Sequence, residues 1–116
     1  MRIVSVSEDH NIEKRIAITP DIAKKYIALG LKVSLPENYG EHLGFKDNEY
    51  KELGVETLKN EADVLNSADI IVQLGLLSDD NLLLLKENQT LVGVLNPHIN
   101  KEKLENLSKK NINIFS

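Results

Sequence analysis

The 116-residue chain contains no cysteine and no tryptophan. Without thiols it can have no disulfide framework, no thiolate metal site and no cysteine nucleophile. Aromatic residues make up only 4%, so the core has to be assembled from Ile, Leu, Val and Ala. There is no excess of basic charge. The 14 Lys and Arg stand against 18 Asp and Glu, leaving a net charge of -4. No basic patch rises above this background, so nucleic acid is not an expected partner. No apolar run approaches the ~18 residues needed to cross a bilayer, and direct membrane insertion is not expected. The start, Met1-Arg2-Ile3-Val4, lacks a signal-peptide layout. A cytoplasmic protein is therefore expected.

Two nucleotide signatures are also missing: a Gly-x-Gly-x-x-Gly turn between strand and helix, and a Gly-Lys-Ser/Thr phosphate loop. The histidines, His10, His42 and His98, have no metal-ligand spacing and read as surface or loop residues.

What is present is an alternation of short β-branched runs with helical stretches. Ile3 to Val6 reads as a first strand. Thr19-Pro20 is a strong helix start, with Thr as the cap and Pro at the first helical position. Ile22, Ala23, Tyr26, Ile27 and Leu29 follow at helical spacing, and Gly30 supplies the stop. Leu31 to Leu35 is a second strand. Pro36 to Phe45 is a loop in which Gly40 and Gly44 serve backbone geometry. Short helices are predicted over Asp47–Leu53 and Glu61–Ser67, with an extended piece over 55–58.

Asp69 to Leu74 is the clearest strand. Its unbroken apolar run predicts a central parallel strand covered on both faces. Ser78, with Asp79 and Asp80, caps a helix through the Leu82–Leu85 cluster. Thr90 to Leu95 is another buried strand, Asn100 caps a helix carrying Leu104 and Leu107, and Ile112 to Phe115 is a last strand. Such alternation predicts an α/β fold: a parallel, flavodoxin-like (Rossmann-like) sheet with helices on both faces, in three layers. A boundary is expected at Ser116, because parallel sheets normally continue from a strand into a helix.

Three polar residues at loops or strand ends are candidates for a ligand cleft. Arg15, beside the apolar Ile16-Ala17-Ile18, either grips a carboxylate or phosphate through two hydrogen bonds or forms a surface pair with Glu13 or Glu8. Gln73 either faces the cleft or closes its strand end. Asn96 either faces the cleft or turns the chain before Pro97.

The run Asn11-Ile12-Glu13-Lys14-Arg15-Ile16-Ala17-Ile18-Thr19-Pro20 resembles the N-terminal signature of the alanine dehydrogenase/nicotinamide nucleotide transhydrogenase family, N-E-x-R-V-A-x-T-P, with one extra residue between Asn and Glu. The resemblance continues through Gly40-Glu41-His42-Leu43-Gly44-Phe45-Lys46-Asp47, Ala68 to Val72, and Leu91-Val92-Gly93-Val94-Leu95-Asn96-Pro97. It implies that residues 1–116 are the N-terminal lobe of such an enzyme and that the NAD-binding Rossmann lobe is absent. NAD(H) is then the cofactor of the full protein, carried mainly on that lobe, with none expected on this fragment.

Departures from the pattern bear on the subfamily. The resemblance implies lysines on the strand like 69–74 and an acid/base histidine after the strand like 91–95 in alanine dehydrogenases. Gln73, Gly75 and Asn96 stand there instead, and a neutral amide does not relay protons as imidazole does. The resemblance is therefore greater to the NAD(H)-binding component of a proton-translocating transhydrogenase, which moves hydride between NAD(H) and NADP(H) and needs no protein acid/base. Its implied partners are the missing lobe and the NADP-binding and membrane components. Its implied location is cytoplasmic, peripheral at the inner membrane. No catalytic residue is assigned, and the fragment is expected to be inactive. An alanine dehydrogenase-like lobe and a non-catalytic structural module are the alternatives.

Overall fold

A computed structural model describes all residues 1–116. Six parallel strands form one sheet: β1 (Arg2–Val4), β2 (Lys32–Pro36), β3 (Glu56–Leu58), β4 (Ile70–Gln73), β5 (Thr90–Gly93) and β6 (Asn113–Phe115). The five helices are α1 (Pro20–Ala28), α2 (Asp47–Glu52), α3 (Glu61–Ser67), α4 (Asp79–Leu83) and α5 (Lys101–Lys109). The strand order is β3-β2-β1-β4-β5-β6. That six-stranded order is the doubly wound Rossmann one; the flavodoxin-like order expected from the sequence describes only the five strands other than the edge strand β3.

Local signals set the elements. The Thr19 hydroxyl accepts from Ile22 N–H at 3.3 Å, Pro20 opens α1, and Gly30 ends it at φ +88°. The Ser78 hydroxyl caps α4 by accepting from the Asn81 N–H. Asn100 occupies the cap position of α5, but its side chain donates to the Leu95 carbonyl at 2.7 Å instead of capping. That bond ties the start of α5 to the end of β5.

Two apolar clusters lie on opposite faces of the sheet. One gathers Val4, Ile71 and Leu91 with Val64 and Leu65 of α3, Leu82 of α4 and Leu107 of α5. The other gathers Ile3, Val33 and Leu35 with Ile16–Ile18, Ala23 of α1 and Tyr50 of α2. Helices thus flank both faces, but unevenly. The cover expected for both sides of β4 is present but uneven: Ile71 is fully buried, while Ile70 and Val72 are half-buried against the cluster on the α1/α2 face. The helices of that face centre on β2 and β3, so that Ile70, Val72 and Leu74 at β4 pack at the margin of the cluster.

Candidate functional site

The order of strand addition switches sides between β1 and β4, strands before this point being added on one side and strands after it on the other. Open α/β sheets place ligands at the carboxyl ends of the strands flanking such a point. Here that position is a cleft of about 440 Å³ lined by Ser7, Glu8, Asp9, Glu61, Gln73, Ser78 and Asn81, with Ile12, Leu76 and Leu77. A smaller hollow between α4 and α5 contains no strand-end residue.

A buried polar network builds the floor of the cleft. The Gln73 amide oxygen accepts from the Ser5 hydroxyl at 2.9 Å and the Val6 N–H at 2.8 Å. Its amide nitrogen donates to the Val6 carbonyl at 3.1 Å and to the Glu8 carboxylate at 3.0 Å. The same carboxylate accepts from the backbone N–H groups of Leu74, at 2.8 Å, and Gly75, at 3.1 Å. On the other side, the Tyr39 hydroxyl donates to Ser5 at 2.9 Å and accepts from the N–H groups of Ala17 and Ile18. The Tyr50 hydroxyl donates to the Ile18 carbonyl at 2.8 Å. The network joins the ends of β1 and β4 to the segment entering α1.

Burial raises the Glu8 carboxyl above the ordinary carboxylate value, against the pull of the Leu74 and Gly75 amides. Burial likewise raises the Tyr39 and Tyr50 hydroxyls, which remain neutral donors. At the rim, the Glu61 carboxylate accepts from the Ser7 N–H and the Asn81 side chain. Glu8, Asp9 and Glu61 give the cleft a negative lining with no cation among its walls.

The three candidates read from the sequence lie apart in character. Gln73 is 2% exposed, with all four hydrogen-bonding positions of its amide filled inside the protein. Arg15 is at the surface, its guanidinium paired with Glu13 at 3.0 and 2.8 Å. That guanidinium, with the Arg15 N–H, holds the Glu13 carboxyl down to about 2. Asn96 is exposed at φ +45° and starts a turn, its carbonyl accepting from Ile99 and Asn100. Asn tolerates that left-handed backbone better than most side chains. His10 and His42 stack at 3.8 Å, and His42 reaches the Lys14 carbonyl, pinning the 8–15 loop to the turn before α2.

Sequence reasoning passed over Ser5, Glu8, Tyr39 and Tyr50 as a group. One signal was available: a serine between Val4 and Val6 puts a hydroxyl on a strand that is otherwise apolar. The partner residues are 34 and 68 positions away, beyond the reach of any local pattern.

The family model "Alanine dehydrogenase/PNT, N-terminal domain" matches residues 5–116. An NAD(P) transhydrogenase subunit alpha polypeptide of Rickettsia prowazekii is 33% identical over 120 residues, covering all of this chain and 31% of the relative. A transhydrogenase from Sinorhizobium meliloti superposes with a TM-score of 0.87 and an L-alanine dehydrogenase with 0.89. Each is 22% identical over 98% of this chain, which covers 34% and 31% of those chains respectively. The chain therefore spans about a third of the length of these relatives. With a fold, a strand order and a near full-length family match in agreement, the chain belongs to the alanine dehydrogenase/PNT N-terminal domain family.

Proposed function

We propose that this chain is the first lobe of the NAD(H)-binding component of a proton-translocating transhydrogenase, in which hydride passes between NAD(H) and NADP(H). One observation carries the reading against an alanine dehydrogenase: no proton-handling side chain projects from the ends of β4 and β5. Gln73 is fully engaged inside the network, Gly75 has no side chain, and Asn96 is a turn amide. Oxidising an amino acid requires moving a proton at the reacting carbon's substituent, and an amide does not do this near neutral pH. Hydride transfer between two nicotinamides requires chiefly that they be aligned. The 33% identity to a transhydrogenase subunit adds support.

A dinucleotide pyrophosphate does not fit the switch-point cleft of this lobe. The paired amides of Leu74 and Gly75 already hold the Glu8 carboxylate, and the remaining walls are acidic. We assign the nucleotide mainly to a following lobe. Arg15 and Asn96 are proposed to border the cleft between lobes, with Gln73 fixing the strand ends beneath it. NADP(H)-binding and membrane components are the proposed partners. No helix here is long and apolar enough to cross a membrane. Attachment at the inner membrane is proposed to be peripheral, through those partners.

The test uses the protein as its gene encodes it. Reduction of an acetylpyridine analogue of NAD by NADPH, with its partner components present, is expected. NADH oxidation dependent on pyruvate and ammonia would overturn the reading in favour of an alanine dehydrogenase.

A further inference from the structure

The carboxylate of Glu8 occupies the place of a ligand at the strand ends. β4 stops at Gln73, and the next two backbone N–H groups donate to Glu8. Leu74 reaches one oxygen at 2.8 Å and Gly75 the other at 3.1 Å. The Gln73 amide nitrogen donates to the first of these oxygens at 3.0 Å. Successive N–H groups that grip both oxygens of one carboxylate make a concave, bidentate anion cradle. Its shape does not depend on Glu8. Gln73 is oriented from the other side, by the Ser5 hydroxyl and by both backbone groups of Val6. Its strand is held in register with β5 through the pairing of Gln73 with Gly93. Beyond its chain neighbours, a Cβ at Gly75 would meet only the Glu8 carboxylate, at 3.6 Å. Glu8 and Gln73 both line the switch-point cleft of about 440 Å³, so the cradle adjoins solvent-reachable space.

We propose that the N–H groups of Leu74 and Gly75, with the Gln73 amide, form a latent binding site for a small carboxylate, which Glu8 keeps closed as an internal ligand. The group already held there sets the ligand class: a planar anion with two oxygens. Beyond its Cβ, the Glu8 side chain has the heavy atoms of acetate, so truncation at Cβ leaves room for that molecule. It also leaves two N–H groups without an acceptor, which they require. A phosphate is disfavoured, because its larger charge would face Asp9 and Glu61. Being tethered, Glu8 acts at an effective concentration of at least about 1 mM, and free carboxylates below that level do not displace it. Glu8 is thus the residue that keeps small anions off the strand ends of this lobe. The inference stands on the hydrogen bonding of those strand ends and does not depend on which reaction the parent protein performs.

Amide-resolved NMR of the 116-residue chain carrying Glu8→Ala tests this, with sodium acetate added at neutral pH and constant ionic strength. The Ser7 N–H bond to Glu61 and the His42 bond to the Lys14 carbonyl still fasten the loop in that variant. Acetate is expected to move the Leu74 and Gly75 amide signals saturably, with a half-point on the order of 10 mM, and to raise the melting temperature of the variant. The same additions are expected to leave both signals of the wild type in place. Asp9→Ala, which removes a nearby charge and leaves Glu8 where it is, is expected to behave as wild type. Circular dichroism checks the fold of each variant. If Glu8→Ala does not fold, Glu8→Gln takes its place. The one side-chain oxygen of that glutamine cannot serve both amides as a carboxylate does, and its acetate response is expected at several-fold higher concentration. Unmoved Leu74 and Gly75 signals in the folded Glu8 variant would overturn the proposal. So would an equal response in the wild type, or in Asp9→Ala, which would make charge rather than occupancy the barrier. A stronger response to inorganic phosphate than to acetate would overturn the assignment to a carboxylate.

Discussion

Gln73 shows how much one buried amide can organise. It completes the hydrogen bonding of Ser5, Val6 and Glu8 at once. Replacing it with a leucine of similar size would leave these groups without partners in a dry environment. Each orphaned group costs about 1–3 kcal/mol, and neighbours in a network do not add simply. Gln73→Leu is expected to destabilise by about 3 kcal/mol in urea unfolding. Arg15→Gln is expected to change stability by less than about 1 kcal/mol, because its only ion pair is solvent-exposed. In that variant the Glu13 carboxyl, followed by NMR titration, should return from about 2 toward 4.5.

Glu8 and Glu13 also give stability opposite slopes with pH. The folded-state value of Glu8 is raised, so above about 4.5 the folded form holds the proton more tightly than the unfolded one. Stability from this group therefore falls as pH rises from 4.5 through its own titration. Glu13 is depressed, so its contribution is present above 4.5 and lost as pH falls toward 2. Urea midpoints compared between wild type and Glu8→Gln from about pH 4.5 to 7 should show the downward slope in wild type and a flatter profile in the variant. Parallel profiles would show that Glu8 titrates as an ordinary surface carboxylate.

At the scale of elements, the signals that were legible were those that act within a few residues. Thr19-Pro20 and Gly30 bound α1 as their backbone chemistry dictates, and Thr19→Ala should cost about 1 kcal/mol in thermal or urea unfolding. Element ends depended on tertiary contacts and were less legible. The strand read as 90–95 stops at Gly93, where a Cβ would collide with the Gln73 carbonyl of β4. That close approach is invisible in the sequence, since it arises from the register Gln73↔Gly93 between β4 and β5. Gly93→Ala should force the two central strands apart and cost about 3 kcal/mol or more. A drop of only the propensity scale, under about 1 kcal/mol, would mean the strand end is free to shift. The site was half legible for the same reason. Gln73 stood out as polar on an apolar strand, but the hydroxyls that engage it come from Ser5 and, through Ser5, Tyr39.

For the whole molecule, the alternation of strands and helices carried the fold class. Two-sided cover of β4 holds unevenly: Ile70, Val72 and Leu74 are only partly buried against the cluster of that face, because α1 and α2 centre over β2 and β3, a choice of position that no local pattern encodes. Charge distribution governs the last expectation. A nucleotide brings a pyrophosphate with two negative charges, and open α/β sheets bind such groups with free backbone amides and cations. At the switch point of this sheet the suitably placed amides, Leu74 and Gly75, are occupied by Glu8. Asp9 and Glu61 stand nearby without a compensating cation. Two independent obstacles therefore oppose binding, occupancy and repulsion. Titration calorimetry of the 116-residue chain with NADH is expected to show no saturable heat up to about 1 mM, an affinity weaker than about 4 kcal/mol. Asp9→Asn should not restore binding, because it lowers the repulsion and leaves the amides filled. Micromolar affinity in the unmodified chain would place a phosphate cradle within these residues and contradict the assignment of the nucleotide to a following lobe.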